Sequence, residues 1–472
     1  MGRTLMIEPV TRIEGHARVS VHINDEGKVE HAYLHVDQFR GFEKFSEGRM
    51  YYEMPVITPR ICGICPVSHH LASAKAGDRV AGVIPPRPAN LLRELLHMGQ
   101  MIQSHSMHFF HLASPDLLLG FDADPAIRNV VSIIQADPNL ALKAVALRKY
   151  GQEIIRRLSG RRLHMHWAVP GGVAKSLDLQ DRDWIASQVD EMISYVKIGI
   201  ATGKSWLEAN QETVQKFANF STNYMGMCKD GALELYEGPL RFVDQHGQFV
   251  RDFDPCNYLD YIAERVEDWS YLKFPYYKSL GWPEGVYRVA PLARLNMVDH
   301  ITTPLANEEL KNWKAISRGP VEPSLYYHYA RMIEDLYAVE RVRQLCEDPD
   351  ILSTDILNTN IQITGEGVGC IEAPRGTLWH HYWTNDEGVI TKANLIVATG
   401  NNNWAMSTSV DSVAKTFIDG NAVTEGMLNR VEAAIRCYDP CLSCSTHALG
   451  QMPLIVDIID AGGETCASYR RD

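Results

Sequence analysis

Apolar and polar positions alternate from the start of the chain. Ala17-Arg-Val-Ser-Val-His-Ile alternates, Asn24-Asp-Glu-Gly supplies a turn, and Val29 to Val36 alternates again, which predicts a hairpin. A second hairpin is predicted across Leu233 to Phe253 with Gln245-His-Gly at its turn, and a third across Thr377 to Thr399 turning at Asn385-Asp-Glu-Gly. Near the end, Pro453-Leu-Ile-Val-Asp-Ile-Ile-Asp reads as a strand stopped by Ala461-Gly-Gly. Elsewhere the apolar period is helical, over about Ala89 to Leu112, Pro138 to Leu158, Asp181 to Phe217, Leu325 to Glu347 and Glu425 to Tyr438. In the longest of these, Trp184, Val189, Met192, Ile193, Val196, Ile200 and Trp206 supply the apolar face. Periodicity alone predicts a mixed, helix-rich chain.

At 472 residues the chain exceeds what one core usually supports, yet no Gly/Ser/Pro-rich linker, repeat or low-complexity run divides it. Its 45% apolar and 22% charged residues are those of an ordinary globular protein. A net charge of -12 argues against nonspecific nucleic-acid binding and against attraction to membrane surfaces. No apolar stretch of signal-peptide length opens the chain, and no run of about 18 apolar residues predicts a membrane span. Of 10 cysteines, six (Cys228, Cys256, Cys346, Cys370, Cys437 and Cys466) are scattered. A disulfide framework would be denser, so reduced thiols and a cytoplasmic protein are expected.

The other four cysteines form two pairs, Cys62-Gly-Ile-Cys65 and Cys441-Leu-Ser-Cys444, each followed by a histidine, His69 and His447. A two-residue gap lets both sulfurs of a pair turn toward one ion, and two pairs supply four thiolates. On spacing alone a structural zinc site, unrelated core cysteines and a catalytic metal site all remain open. The surrounding segments separate them. Arg60-Ile-Cys-Gly-Ile-Cys-Pro-Val-Ser-His69 and Asp439-Pro-Cys-Leu-Ser-Cys-Ser-Thr-His447 resemble the two signature segments of the large, catalytic subunit of nickel–iron hydrogenases. Pro9-Val-Thr-Arg-Ile-Glu-Gly-His16, Arg40-Gly-Phe-Glu43 and Glu372-Ala-Pro-Arg-Gly376 agree, all in the family's order, so the resemblance spans essentially the whole chain.

The resemblance implies an α+β fold, a central bundle of long helices with small peripheral antiparallel sheets. Residues 1–447 would form one compact catalytic unit and 448–472 an extension that a maturation endopeptidase removes. Cys62 and Cys441 would be terminal nickel ligands, with Cys65 and Cys444 bridging nickel to an iron that carries carbon monoxide and cyanide. His69 would donate a hydrogen bond to a bridging sulfur. Arg375 would hang over the open coordination position, held by Asp116 and Asp439. Glu14 would take the proton from Cys441, a carboxylate being suited to proton transfer. Glu43, His447 and the Leu395 carbonyl would bind a hard cation such as magnesium. Pro374 and Thr399 would line the iron's diatomic ligands; this chain has Ala398 where many members carry proline. His105, His108 and His111 recur on one predicted helix and are read as satisfying buried polar groups.

The implied reaction is reversible heterolysis of dihydrogen. The scattered cysteines lack iron–sulfur spacing, so no such cluster is expected on this chain. Electrons would leave through an iron–sulfur small subunit, which in this family can also carry the export signal. The segments Gln38-Phe-Arg-Gly-Phe-Glu-Lys-Phe and Tyr271-Leu-Lys-Phe-Pro-Tyr276 look closest to the soluble cytoplasmic group. Members of that group work with a flavin-containing diaphorase, and so NAD(P), or with heterodisulfide reductase and ferredoxin. The rival readings are a hydrogen-sensing regulatory protein, a metal-free respiratory relative, disfavoured by the four cysteines, and a zinc-stapled structural subunit.

Overall fold

Four long helices, Arg87–Met107, Pro138–Ser159, Val189–Ala209 and Tyr327–Glu347, pack on one another as the body of the molecule. The computed structural model describes residues 3–446, 454–459 and 465–471. Tyr327–Glu347 is buried almost all round and contacts both Arg87–Met107 and Val189–Ala209, so it is the centre of the bundle.

Helix boundaries depart from the apolar pattern where side chains compete for the backbone. The stretch expected as one helix from Asp181 to Phe217 is three: Leu179–Ser187, Val189–Ala209 and Gln211–Lys216. Asp178 caps the first by accepting the Asp181 N–H. At the last break Asn210 leaves helical geometry while its amide donates to the Trp206 carbonyl at 2.8 Å. The stretch expected from Ala89 to Leu112 is regular only to Met107; a π turn then covers His108–Ala113, and Ser114–Leu119 continues with Pro115 in its first turn.

The three expected hairpins form, and they share one turn. In each, an Asn or Asp side-chain oxygen accepts two backbone N–H groups: Asn24 from Glu26 and Lys28, Asp244 from His246 and Gln248, Asn385 from Glu387 and Val389. A glycine at positive φ follows three residues later, Gly27, Gly247 and Gly388. These turns join Arg18–Ile23 to Val29–His35, Leu240–Val243 to Phe249–Phe253, and Gly376–Thr384 to Ile390–Ile396. Unforeseen strands complete the sheets, among them Arg3–Ile7, Asn223–Lys229 and Glu366–Ala373. The expected C-terminal strand is Leu454–Ile459, paired antiparallel with Thr465–Arg471; the Ala461-Gly-Gly stop lies outside the described residues.

The sheet Glu366–Ala373/Gly376–Thr384/Ile390–Ile396 is small and antiparallel but largely buried, because the Pro66–Val80 helix lies against it. That helix is buried on nearly every face and has no polar stripe, so the chain's periodicity does not announce it. Gly367 and Gly369 permit the contact: a Cβ on Gly369 would sit 1.9 Å from the Ala72 carbonyl oxygen, and one on Gly367 2.3 Å from that of Ala76. Gly369→Ala must therefore lift the helix off the sheet, at a cost of about 1–3 kcal/mol or more. Gly319→Ala, which meets nothing within 4 Å, is expected to stay within about 0.5 kcal/mol of the parent. Denaturant titration of the two variants compares them directly.

Candidate metal centre

Both cysteine pairs stand at helix starts. Cys62 follows the 3-10 turn Thr58–Ile61, and Cys65 begins the Pro66–Val80 helix with Pro66 in its first turn. Cys441 precedes the short Leu442–Ser445 helix, which carries Cys444. The four sulfurs lie within 4.8 Å of one another and all four residues are buried. Cys62 Sγ is 3.2 Å from Cys441 Sγ, Cys65 Sγ 3.7 Å from Cys444 Sγ, and Cys441 Sγ 2.7 Å from Cys444 Sγ. Hydrogen bonds from Cys441, Cys444 and Cys65 hold the Cys62 thiol well below its ordinary pKa, while burial pushes those of Cys441 and Cys444 well up. Sulfurs this crowded repel one another unless they share protons or a thiophilic cation. Four soft donors in one buried cluster fit nickel and iron.

Arg375 reaches the cluster from a hairpin tip. Ala373 pairs with Gly376, leaving only Pro374 and Arg375 in the turn, both buried. Gly376 has φ +123°, and a Cβ there would lie 2.2 Å from a Val289 methyl. Glu372 anchors the hairpin: its carboxylate accepts from Met227 N–H at 3.2 Å, Thr377 Oγ1 at 2.6 Å and Arg294 at 2.6 Å. Arg294 also holds Glu334, to which His105 bonds at 3.1 Å. At the tip, Arg375 Nε donates to the Asp439 carbonyl at 2.6 Å and Nη2 to its carboxylate at 3.0 Å. Burial opposes the charge on Arg375, but Asp439 and the thiolates of Cys441, Cys65 and Cys62 outweigh it and push the pKa up.

Asp116 does not share in that clamp. Its carboxylate is taken by Arg12, by Arg436 at 2.6 Å and by Asn429 at 3.0 Å. It lies just after the π turn, whose irregularity hid from the helical pattern which way the side chain points. His69 also departs from expectation. Among the described residues it bonds to no sulfur; its Nδ1 is 3.0 Å from His380 Nε2, and its Nε2 is buried without a partner. Burial lowers its pKa to about 3, so the ring is neutral. The neighbouring His70 bonds the Pro55 carbonyl through Nδ1 and accepts the Ala168 N–H at Nε2. His108 bonds the Arg436 carbonyl at 2.8 Å.

Glu14 lies against the second cysteine pair. Its backbone carbonyl accepts the Leu442 N–H at 3.1 Å, and its half-buried carboxylate accepts the Ser443 N–H at 3.2 Å. Thr399 Oγ1 accepts the Cys441 N–H at 3.0 Å, which leaves its own hydrogen free to donate. Arg40 gathers the groups expected at a hard cation: Nη1 donates to Glu43 at 2.9 Å, Nη2 to the Leu395 carbonyl at 3.4 Å, and Nε to the Cys444 carbonyl. The second Glu43 oxygen is buried without a partner among the described residues. His447 lies outside the described residues. Arg40 and Glu372 stood inside motifs but received no role from the sequence. Their burial, rather than residue type, identifies them.

The nickel-dependent hydrogenase family matches residues 40–146 and 245–447, and a HoxL-like family matches residues 4–39. The beta subunit of the NAD-reducing hydrogenase HoxS of Cupriavidus necator is 45% identical, over 98% of each chain. A relative from the F420-non-reducing hydrogenase vhu of Methanococcus voltae is 44% identical, over 89% of this chain and all of its own. A crystal structure of an NAD+-reducing [NiFe]-hydrogenase in the H2-reduced state superposes with a TM-score of 0.92 at 43% identity, over 94% of this chain and 99% of its own. The fold is that of a hydrogenase large subunit. The chain belongs to the nickel-dependent hydrogenase family.

The Asp116 cluster yields a stability test. Burial disfavours its charge, but Arg436 and Arg12 overcome that and hold its pKa below the ordinary 3.8. A depressed carboxylate contributes stability above its unfolded pKa and loses it as pH falls through the folded value. This contribution is therefore intact at neutrality and disappears below about pH 4. Asp116→Asn should cost about 3 kcal/mol at pH 7, because Arg12 loses its carboxylate partner while Arg436 keeps only Glu432. The difference from wild type should shrink on acidification, as measured by urea unfolding at several pH values.

Proposed function

We propose that this chain is the catalytic subunit for reversible heterolytic cleavage of dihydrogen, with Cys62, Cys65, Cys441 and Cys444 holding nickel and iron. The observation that carries the reading is the convergence of all four sulfurs beneath Arg375 and beside Glu14. When bound, nickel and an iron carrying carbon monoxide and cyanide supply the redox and Lewis-acid chemistry that splits the gas. Cys62 and Cys441 are proposed as terminal nickel ligands, and Cys65 and Cys444 as bridges to iron.

The surrounding residues manage charge and protons. Arg375 presents a fixed cation over the sulfurs, with Asp439 setting its direction. Cys441 Sγ holds the proton released on cleavage and passes it to Glu14, whose carboxylate is pinned over the same loop by the Ser443 N–H. Thr399, whose hydroxyl hydrogen is free to donate, and Pro374 would line the diatomic ligands of the iron. The Glu43 oxygen that has no partner among the described residues and the Leu395 carbonyl suit a hard cation such as magnesium, which His447 would complete. Arg40, already on both groups, would have to share them.

Electrons would leave to an iron–sulfur small subunit. The naming of the relatives as subunits of larger hydrogenases supports this. The onward acceptor is proposed as NAD(P) through a flavin-containing diaphorase, with ferredoxin or heterodisulfide reductase as alternatives. We also propose residues 1–447 as the catalytic unit and 448–472 as the segment removed on maturation; the family match ends at residue 447. A cytoplasmic location is proposed on the same grounds as the diaphorase. No helix among the described residues is long and apolar enough to cross a membrane.

Elemental analysis of matured protein should find nickel and iron together, with infrared bands of metal-bound carbonyl and cyanide. Stoichiometric zinc without nickel would establish the structural alternative instead. Cys441→Ser should abolish turnover. Glu14→Gln should keep both metals but slow hydrogen–deuterium exchange with solvent by about 100-fold or more. Exchange at the parent rate would remove Glu14 from the proton path.

A further inference from the structure

The hairpin that carries Arg375 is held at its base by one arginine. Arg294, on the Ala290–Met297 helix, is 0% exposed. Its Nη1 donates to the Glu372 carboxylate at 2.6 Å and to the Ala373 carbonyl at 3.2 Å. Its Nε and Nη2 donate to the two oxygens of Glu334 at 2.6 and 2.7 Å. Glu334, on Tyr327–Glu347, is also fully buried and is bonded by His105 Nε2 at 3.1 Å.

These bonds lead back to Arg375. His105 follows Ser104 on Arg87–Met107, and Ser104 Oγ is 3.4 Å from Arg375 Nη1. The hairpin, Ala290–Met297, Tyr327–Glu347 and Arg87–Met107 thus form a closed ring. Because Ala373 pairs with Gly376, only two residues make the tip, and a shift at the Ala373 carbonyl carries Arg375 with it. A guanidinium suits the base for a geometric reason. Its N–H groups lie in one plane, so it grips Glu334 with two nitrogens and still reaches the hairpin with the third. An ammonium has no such fork. Gly226 leaves room for it, since a Cβ there would lie 3.0 Å from Arg294 Cγ.

We infer that Arg294 and Glu334 are positioning residues for Arg375. Glu334 aims Arg294, Arg294 fixes the base of the hairpin, and the base sets where the Arg375 guanidinium stands at the cysteine cluster. The consequence for turnover rests on the proposed reaction; the placement of Arg375 does not.

The test uses the full chain produced without nickel and labelled with 15N-arginine. Arg375 Nε–H donates to the Asp439 carbonyl and Arg93 Nε–H to the Gly172 carbonyl. Their signals are assigned by their absence in Arg375→Lys and Arg93→Lys. Arg93 belongs to a separate ion pair, with Asp78, and reports general loosening. In Arg294→Lys, exchange of the Arg375 Nε–H with solvent should quicken by about 10-fold or more, with Arg93 at the parent rate. If that variant does not fold, Glu334→Gln serves, because its amide leaves Arg294 one acceptor instead of two, and the same change is expected. Unchanged exchange at Arg375, or equal acceleration at both arginines, overturns the inference.

Matured variant enzyme then separates the two readings. With nickel and iron at the parent content, kcat should fall about 100-fold while KM for dihydrogen stays near the parent value. A parent kcat beside a loosened Arg375 overturns the role in turnover. Zinc alone with Arg375 loosened sinks the proposed reaction but not the positioning, and nickel with iron beside an unchanged Arg375 signal does the reverse.

Discussion

Two cysteines near each end of the chain must meet in one buried cluster, and most of the surrounding architecture serves that meeting. Cys62 and Cys441 are 379 positions apart in sequence, yet their sulfurs are 3.2 Å apart. The segment from Thr11 to Gly15 is the seam between the two ends. Thr11 bonds Glu432 through its N–H and its hydroxyl, Arg12 reaches the Leu112 carbonyl and Asp116, and Arg436 returns to the Thr11 carbonyl. Glu14 and Gly15 then lie on the Cys441 loop, where a Cβ on Gly15 would come within 2.8 Å of Leu442 and Ser443. Such buried ion pairs add little net stability against an apolar alternative. Their directional bonds nonetheless allow only one placement of the loop.

Charge balance at the cluster depends on the same loop. Four thiolates would repel strongly in a buried site; Arg375 on a hairpin sets a cation beside them, and Arg40, before Glu43, bonds the backbone of the same loop. Each guanidinium also bonds a backbone carbonyl of the C-terminal loop, that of Asp439 or of Cys444. The cation that moderates the sulfur charge, Arg375, is thus also a fastener of the segment that carries half of the sulfurs. Without metal, the upward shift of Cys441 and Cys444 keeps protons in the cluster, and metal entry must expel them.

What was legible in the sequence follows from what has a local signature. The hairpin turns were readable because an Asn or Asp and a glycine three residues later determine them without help from elsewhere. The cysteine pairs were readable because two-residue spacing serves any soft metal. The Pro66–Val80 helix was not, since burial on nearly every face erases the contrast that marks a helix. Strand Glu366–Ala373 was missed for the same reason, its apolar and glycine positions running without alternation. Asp116 was expected to hold Arg375, but its arginines are Arg12 and Arg436, 104 and 320 positions away, a long-range pairing with no local signature.

The hydrogen-bonded line from His69 through His380 and Tyr382 to Ser73 depends on packing without polar atoms. On a helix, positions four apart share a face, and on a strand positions two apart do. His69 and Ser73 thus form one pair and His380 and Tyr382 another, and they join only if helix and strand approach closely. Ala72 and Ala76 on the helix and Gly367 and Gly369 on the neighbouring strand permit that approach, with no room for even one added carbon. A side chain at Gly369 would separate the two pairs before it touched the cysteines. The glycines therefore belong to the functional centre as much as the residues whose bonds they allow.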